Sequence, residues 1–396
     1  MMKNTAVKVT EAVLVERARA MLPDLRSRAE QASRDCKVPD ETVRAFHDAG
    51  FFRVLQPKRY GGYEMDPEVF YAIQLALAEG CMSSAWIYGV IAVHNWQLAL
   101  FDPQAQEDVW GKDSSTLISS SYQPKAEVTP ADGGYRISGR WAFSSGVDHC
   151  DWVFLGGLIP AAGGGAPEYR TFLVPRSDFE VLHVWDTMGL RGTGSHDVVV
   201  KDAFVPAYRT HKAKDGFAVT SPGLKLNTSP LYKLPFGQIF VRAVSSSSIG
   251  ALQGALDYFR DYASKRVSSN DFSRTSADPD AQAVASDTAI AIDEMKLILF
   301  RNFKVLGEKV KGGQPLDLEE RIRFRVQSAR VSEQCAQLVS RLLYSCGAQG
   351  IYRDSPLVRT FVDIHTGRTH VANNPDKVGR NYGGFLLGGE NTDTFL

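Results

Sequence analysis

Hydroxyl-bearing and aromatic side chains are concentrated in residues 118–152, which makes this stretch the first candidate for chemistry. It begins with three consecutive serines at 119–121. Further on, residues 135–140 alternate between apolar and polar types, as a half-buried strand does, and lead into the sequence WAFSSG at 141–146. Such a strand end suits a flat heteroaromatic ligand, because a ring can stack there while hydroxyls bond to its edge. A plain hairpin with polar ends explains the same residues equally well.

A single histidine, His94, lies in the middle of an apolar stretch at residues 82–101. The stretch is apolar nearly all round, so we expect a helix that is buried among other elements. A histidine in such a helix is most often a hydrogen-bonded core residue. The alternative is a histidine that faces a pocket, and the pattern by itself leaves both open.

The overall composition excludes several classes of function. Basic and acidic residues number 45 each in the 396-residue chain, so nothing indicates a nucleic-acid or membrane surface. Five cysteines without a CxxC pair indicate a reduced protein that has no zinc site. The sequence also lacks the apolar core of a signal peptide and any stretch long enough to cross a bilayer. We therefore expect a soluble cytoplasmic protein.

Helical patterns fill the first part of the chain, to about residue 110. One helix is predicted over residues 13–32, with a kink at Pro23. Asp40 is a suitable N-cap for a second helix, which Gly50 would end. Asp66 is a suitable N-cap for a third.

From residue 115 to about 210 the pattern changes to short strands and turns, which predicts a compact β domain. The sequence GLRGTG at 189–194 does not open a helix after a strand, so it is not a dinucleotide fingerprint, and its glycines more simply allow close backbone approach. An irregular, proline-containing link follows. Helices are then predicted over residues 241–266, 280–311, 316–346 and 355–374, as in a four-helix bundle. The expected domains are residues 1–114, 115–210 and 211–396.

This order of elements, together with three segments, resembles the acyl-CoA dehydrogenase fold superfamily. The segments are PDETVRAFHDAGFFRVLQPKRYGG, GGYRISGRWAFSSG and GLRGTGSHDVVVKDAFVP. The resemblance implies a mainly α fold with an N-terminal helical domain, a middle β-barrel domain and a C-terminal four-helix bundle. The second segment resembles the strand that meets the flavin ring in that superfamily.

Within the superfamily, the sequence has to be assigned to the dehydrogenases or to the oxygenases. Acyl-CoA dehydrogenases carry a carboxylate base in the last helical region, typically a glutamate. The corresponding stretch here, residues 363–375, contains no glutamate. A base must reach the proton that it removes, and asparagine cannot take one. The dehydrogenase hypothesis therefore lacks its central residue.

Other segments are similar to the oxygenase component of two-component, flavin-dependent phenol hydroxylases (the group D monooxygenases), most of all to the branch that ortho-hydroxylates a seco-steroid phenol. They are VHNWQLALFDPQAQEDVWG, STLISSSYQP and HTGRTHVANNP. The resemblance implies that a separate reductase supplies reduced flavin, FMN by preference with FAD as an alternative. Oxygen would then add at flavin C4a to give a hydroperoxide, which transfers one oxygen atom to a phenolate. It also implies a homotetramer. A related N-, S- or indole-oxygenating enzyme and a catalytically silent, flavin-binding homologue are the other hypotheses.

Family positions carry over to four residues in the expected catalytic site. The pocket histidine corresponds to His94, the serine on the substrate side to Ser120, and the serine that bonds flavin N5 to Ser145, with Ser144 as an adjacent rival. The C-terminal histidine corresponds to His370, which is the expected base, with His94 second. A purely structural role for His370 is the alternative.

The remaining assignments concern the flavin and one departure from the family. Trp141 and Phe143 are expected to contact the flavin ring, with core packing as an equal alternative. Arg266 could meet the flavin phosphate across a subunit interface, although a solvated surface arginine is the simpler reading. The seco-steroid hydroxylases carry aspartate where this chain has Asn374. On a helix that ends near Asn374, that side chain would face His370, and the helix C-terminus would favour an imidazolium.

Overall fold

The computed structural model describes residues 9–160, 165–268 and 272–396. Six helices make up the first part of the chain: α1 (Glu11–Ala20), α2 (Leu22–Asp35), α3 (Asp40–Asp48), α4 (Pro67–Ala78), α5 (Met82–Leu98) and α6 (Pro103–Trp110). The helix predicted over residues 13–32 is thus two helices, which meet at Met21. Pro23 lies in the first turn of α2, where its missing N–H costs nothing, so it starts a helix here and does not kink one.

The apolar stretch around His94 forms the helix α5, as the pattern predicts. All 17 of its residues are buried. The helix packs against α4 and against a long helix from the end of the chain, so apolar side chains surround it. It is the rigid centre of the molecule on which the candidate site is built.

The middle of the chain forms a seven-stranded sheet in the order β5-β6-β2-β1-β3-β4-β7. The strands are β1 (Ile118–Ala131), β2 (Gly134–Ser144), β3 (Trp152–Ile159), β4 (Glu168–Pro175), β5 (Glu180–Leu182), β6 (His196–Pro206) and β7 (Thr210–Lys212). β1 joins the two halves of the sheet. Its second half pairs with β2 in antiparallel fashion, and its first half pairs with β3 in parallel.

The strands β1 and β2 separate toward the three serines of β1. Their ladder covers residues 127–131 of β1 only, and two side-chain contacts connect the strands further along. Ser121 donates to the carbonyl of Ala142 at 2.7 Å, and Ser144 Oγ donates to Ser119 Oγ at 3.2 Å. The separation leaves the ends of both strands facing α5.

The last part of the chain is helical: α7 (Ala213–Ala218), α8 (Phe236–Lys265), α9 (Pro279–Lys311), α10 (Leu318–Ser345), α11 (Pro356–Arg368) and α12 (Pro375–Leu386). The expected bundle is built by α8, α9, α10 and α11, with α12 packed on α10. The expected domain boundaries stay a prediction. None of the helices in the described ranges has both the length and the apolar character that a membrane crossing needs.

The helix predicted to run to Asn374 ends earlier, at Arg368. Residues Val371–Asn373 form a single 3₁₀ turn, and α12 starts after it with Asn374 as its N-cap. His370 therefore lies between helices. The predicted arrangement, with His370 and Asn374 facing each other on one helix, is wrong.

Candidate active site

One face of α5 carries two side chains that organise the site, Trp86 and His94. His94 comes eight positions after Trp86, or about 2.2 helical turns, so the two side chains lie about 12 Å apart along the axis and about 80° apart around it, on one broad face. His94 faces the start of β1, and Trp86 faces the end of β2 and the turn after α11. Each end of the face forms its own cluster of polar groups.

His94 is fully buried, and its hydrogen bond defines its tautomer. Its Nδ1 lies 2.6 Å from the carbonyl oxygen of Ile118. A carbonyl can only accept, so Nδ1 carries the hydrogen and Nε2 is left with a lone pair. No partner for Nε2 is found among the described residues, although the atom is buried. Burial lowers the pKa of His94 to about 4, so the ring is neutral near pH 7.

Ser120 lies on the same side of β1 as Tyr122, by the alternation of the strand. The Tyr122 phenol donates to the side-chain carbonyl of Gln97 on α5. Burial raises the pKa of Tyr122, and the nearby Ser120 hydroxyl partly opposes this rise. The ring of Tyr122 meets the His94 imidazole edge-on, with centroids 6.2 Å apart. On its other side Tyr122 packs against Phe236 and Phe240 of α8. The first cluster is therefore an acceptor nitrogen and a hydroxyl with aromatic surroundings.

Ser145 forms the second cluster through a chain of three hydroxyls. Its Oγ lies 2.7 Å from Ser195 Oγ, which lies 2.7 Å from Thr193 Oγ1. Thr193 donates to the carbonyl of Leu190 at 2.7 Å, so its only hydroxyl hydrogen is used there. Ser195 must then donate to Thr193, and Ser145 must donate to Ser195.

The remaining contact of Ser145 comes from Trp86, whose indole N–H donates to Ser145 Oγ at 3.3 Å. With its hydrogen committed to Ser195, Ser145 can only accept from any further group. Gly146 keeps this turn against α5: its φ of +70° suits glycine, and a Cβ there would lie 2.7 Å from Ile91 Cδ1. The second cluster therefore presents an oxygen lone pair.

The other candidate residues on β2 differ from Ser145 in burial; they are Ser144, Trp141 and Phe143. Ser144 is fully buried and bonded to Ser119, so its geometry favours Ser145 as the serine that faces a ligand. Trp141 is 0 % exposed and donates its indole N–H to the Gly156 carbonyl at 2.9 Å, which favours the core-packing role that the sequence left open. Phe143 is 59 % exposed at a φ of +66°, with Trp185 against it edge-on. Phe143 thus offers an uncovered ring beside Ser145.

His370 joins the second cluster through Trp86, whose ring it meets edge-on with centroids 5.9 Å apart. The backbone N–H of Ala372 donates to His370 Nδ1 at 3.1 Å. An amide can only donate, so neutral His370 carries its hydrogen on Nε2. Burial, and next the charge of Arg325, lower the pKa of His370 to about 4. The prediction that a helix C-terminus would favour the imidazolium is wrong, because the helix ends before His370.

Asn374 and Arg266 lie apart from these clusters. Asn374 is exposed, and its Oδ1 accepts from the backbone N–H groups of Asp376 and Lys377, so it caps α12. The Arg266 guanidinium bonds to Tyr262 Oη at 3.2 Å and to the carbonyl of Val267. Its role toward a phosphate stays a prediction.

Several residues of the site escaped the sequence analysis. Trp86 could have been found, because it lies two turns before His94 on a helix that was predicted correctly. Thr193 and Ser195 carried no signal beyond the glycines around them. Asp363 accepts from the Leu190 N–H at 2.6 Å and so ties α11 to the hydroxyl chain. Burial raises the pKa of Asp363 to about 6.

Two family models match the chain. One is the acyl-CoA dehydrogenase N-terminal domain, over residues 10–113, and the other is the acyl-CoA dehydrogenase C-terminal domain, over residues 243–375. Together they cover the helical parts on both sides of the sheet.

Relatives are similar over almost the whole chain. The oxygenase subunit HsaA of a flavin-dependent monooxygenase from Rhodococcus jostii RHA1 is 39 % identical over 96 % of this chain and 100 % of its own. The oxygenase component of p-hydroxyphenylacetate 3-hydroxylase from Acinetobacter baumannii is 27 % identical, over 97 % of this chain and 91 % of its own. Among solved structures, 3-HSA hydroxylase from Rhodococcus sp. RHA1 superposes with a TM-score of 0.93 at 38 % identity, covering 97 % of this chain and 99 % of that one.

Proposed function

The chain belongs to the family of oxygenase components of two-component, flavin-dependent monooxygenases, built on the acyl-CoA dehydrogenase fold, and from this premise we propose that it ortho-hydroxylates a phenolic aromatic compound. The observation that carries the proposal is the buried Nε2 of His94, which has no hydrogen-bond partner in the part of the chain that the structure describes. A buried acceptor without a donor is costly, and a phenolic O–H would supply the missing hydrogen.

The residues at the end of β2 fit a flavin ring. Phe143 leaves an aromatic surface uncovered, and Ser145, two residues further along the chain, keeps an oxygen lone pair available. Bound reduced flavin would supply the electrons with which molecular oxygen is activated. Ser145 and Phe143 are the residues that we assign to hold the ring, with Arg266 from a second subunit as the candidate for its phosphate.

The direction of the hydroxyl chain supports a preference for reduced flavin. Ser145 can accept but cannot donate while Ser195 and Thr193 keep their present partners. Reduced flavin has an N–H at position 5, whereas the same nitrogen of oxidised flavin is an acceptor and would face another acceptor. We therefore assign reduced flavin as the cofactor. The choice of FMN over FAD does not follow from these bonds and stays a proposal, which competition between the two reduced flavins tests.

At the other cluster, the phenol oxygen would lie between His94 and Ser120. His94 Nε2 accepts the phenolic hydrogen and takes the proton as negative charge develops on the oxygen. The Ser120 hydroxyl can donate to the same oxygen and stabilise that charge. A more electron-rich ring is the better acceptor of an oxygen atom. His370, whose Nε2 carries hydrogen, acts as a donor in this arrangement and not as the first base.

The acyl-CoA dehydrogenase hypothesis is weakened further by the structure. Asp363 is the one carboxylate in the stretch that should hold the base, residues 363–375. It is buried and already accepts from the Leu190 backbone. Its position serves the packing of α11 on the turn before β6, so a dehydrogenase would have no base here.

We propose that the enzyme works with a separate reductase and as an assembly of several subunits. The words subunit and component in the relatives' names imply a separate reductase, for which we propose an NAD(P)H-dependent flavin reductase. We also propose a homotetramer in the cytoplasm, and a seco-steroid phenol as the substrate to try first, since the similar HsaA and 3-HSA hydroxylase cover almost the whole chain.

The test supplies purified protein with reduced FMN from an added reductase, a phenol and labelled molecular oxygen. The proposal expects a catechol product that carries one labelled atom. Acyl-CoA thioesters serve as the comparison, and they should yield no enoyl product. Reduction of bound flavin by an acyl-CoA, or no labelled product from any of a panel of phenols, would refute the assignment.

A further inference from the structure

Three side chains that the proposed reaction does not use meet on the surface behind the flavin-side serine. Asp148 lies in the 3₁₀ turn Val147–His149 after β2, His183 follows β5, and His196 opens β6. One potential ligand atom from each lies within 4.8 Å of the others. They border a cavity of about 400 Å³ that also reaches Cys36.

The distances within this cluster suit a metal ion. Asp148 Oδ1 lies 2.9 Å from His183 Nε2, and Asp148 Oδ2 lies 3.5 Å from His196 Nε2. Ligands of a tetrahedral ion at about 2.1 Å are about 3.4 Å from one another. Two imidazoles and one carboxylate are a ligand set that zinc and its neighbours in the transition series accept, with water in the remaining position.

Among the described residues, the Asp148 carboxylate pairs with these two imidazoles and with no lysine or arginine. Lys37 lines the same cavity, but its ammonium pairs with Asp40 at 2.7 Å. In the described ranges, the ion-pair partners of Asp148 are His183 and His196 alone. Neither ring provides a permanent cation to balance a carboxylate, whereas a divalent ion would.

Gly194 lies against this cluster. Its φ is +50°, and a Cβ at this position would lie 2.7 Å from the Cys36 carbonyl oxygen, so close approach of the backbone requires glycine here, as the sequence indicated. The same Cβ position is 3.4 Å from His196 Nε2 and 3.6 Å from Asp148 Oδ2, which places the turn directly beside two of the three ligand atoms.

We propose that Asp148, His183 and His196 bind one divalent transition-metal ion of the zinc or cobalt class. Two contacts must give way: the Trp185 N–H now donates to His196 Nδ1 at 3.3 Å, which places the ring hydrogen of His196 on Nε2, and His183 Nε2 donates to Asp148 Oδ1 at 2.9 Å. Binding moves the hydrogen of each ring to Nδ1. The Trp185 bond that is lost is a long one, and the ion replaces the His183 hydrogen between the imidazole and the carboxylate. The occupied site would join the turn after Ser145 to the strand after Ser195, and so brace the hydroxyl pair between them.

The test uses the full-length protein without a polyhistidine tag, freed of metal with a chelator. Equilibrium dialysis with Zn²⁺ should give one ion per chain, and Co²⁺ should produce the visible absorption of a low-coordinate site. His183→Ala and Asp148→Asn should each weaken binding tenfold or more. Zn²⁺ should also raise the melting temperature of the wild type but not that of His183→Ala. The His183 side chain is 64 % exposed, so its removal should leave the fold intact.

Two controls separate this site from others. His365→Ala removes a histidine on α11 that bonds to Ser340, and Cys36→Ser removes the thiol of the cavity. Both should bind Zn²⁺ as the wild type does. No binding by the wild type in a large excess of Zn²⁺ or Co²⁺, binding that survives in His183→Ala and Asp148→Asn, or binding that is lost in Cys36→Ser would each overturn the proposal.

Discussion

The neutral imidazoles of His94 and His370 carry their hydrogen on opposite ring nitrogens. The Ile118 carbonyl holds the hydrogen of His94 on Nδ1, whereas the Ala372 amide holds the hydrogen of His370 on Nε2. The free nitrogen is thus an acceptor in one ring and a donor in the other. For this reason we propose His94 as the first base, whereas the sequence analysis named His370 as the expected base and His94 as the second.

Replacement of His94 should therefore show the signature of a lost proton acceptor. We expect His94→Ala to reduce the hydroxylation rate by about 10²-fold or more with an ordinary phenol. The loss should shrink along a series of substituted phenols of decreasing pKa, since these ionise without help. His370→Ala is the matched control, and its defect should not depend on the phenol. Equal slopes for the two variants would assign the proton to some other group.

Ser145→Ala should uncouple oxygen consumption from product formation without abolishing flavin binding. The lone pair that the hydroxyl chain directs at the ligand is lost, so more hydrogen peroxide should be released for each catechol formed. Ser144→Ala is the control, because Ser144 is buried against Ser119 and should leave the ratio unchanged. If the ratio of peroxide to catechol rose in Ser144→Ala and stayed at the wild-type value in Ser145→Ala, Ser144 would be the serine that bonds flavin N5.

Ser195→Ala tests the direction of the hydroxyl chain. Without Ser195 as its acceptor, the Ser145 hydroxyl can turn and donate, so the preference for reduced over oxidised FMN should fall severalfold. The measurement is the dissociation constant for each oxidation state, with oxygen excluded for the reduced one. A preference equal to that of the wild type would show that the hydrogen bond of Ser145 does not distinguish reduced from oxidised FMN.

The contribution of Asp363 to the free energy of unfolding should change between about pH 4 and pH 6. Burial raises its pKa to about 6 from 3.8, so the folded state binds more protons than the unfolded state in this window. Stability from this group is present below pH 4 and is lost as the pH rises through 6. The size is on the order of 2–3 kcal/mol. Asp363→Asn should remove this component and be more stable than the wild type at pH 8.

Urea unfolding of both proteins at pH 5 and pH 8 measures this component, because the other titrating groups cancel in the difference. The asparagine carbonyl can still accept from Leu190, so the variant keeps the contact to α11. An equal stability difference at the two pH values would contradict the expectation.

Asn374→Asp should leave the pH dependence of hydroxylation unchanged. Asn374 caps α12 through its Oδ1, which accepts from two backbone N–H groups, and aspartate is an equally good N-cap. Asn374→Ala should lower the free energy of unfolding by about 1 kcal/mol through loss of the cap. A shifted pH profile in Asn374→Asp would restore the pairing that the helix boundary at Arg368 argues against.

Much of the fold could be predicted because it rests on long apolar patterns. The buried α5 and the helices of the bundle have such patterns, and the structure places them close to the predicted residues. The end of α11 could not be predicted. Pro375 indicated that a helix ends before it, but the preceding turn is fixed by contacts from distant residues, such as the bond from Arg325 to the Ala372 carbonyl at 2.7 Å.

The candidate site, like the fold, could be predicted only in part from the sequence. Ser145 and His94 could be named from the sequence, whereas their protonation could not, because it depends on which backbone group each side chain meets. The Ile118 carbonyl and the Leu190 carbonyl come from other elements and carry no residue-specific signal. For Trp141 the sequence left a flavin contact and core packing open, and its burial favours core packing. Alternation would place Phe143 on the same face, but Phe143 has a φ of +66° where the register with β6 shifts, and its ring is exposed.

The complete burial of α5 has a consequence for attempts to change the substrate. All 17 of its residues are buried, so libraries directed at this helix would mostly yield unfolded protein. Two residues of α8 are a better target, because Phe236 and Phe240 contact Tyr122 without taking part in the hydrogen bonds of His94. Directed evolution toward larger phenols should therefore start on α8 and hold the helix that carries both Trp86 and His94 constant.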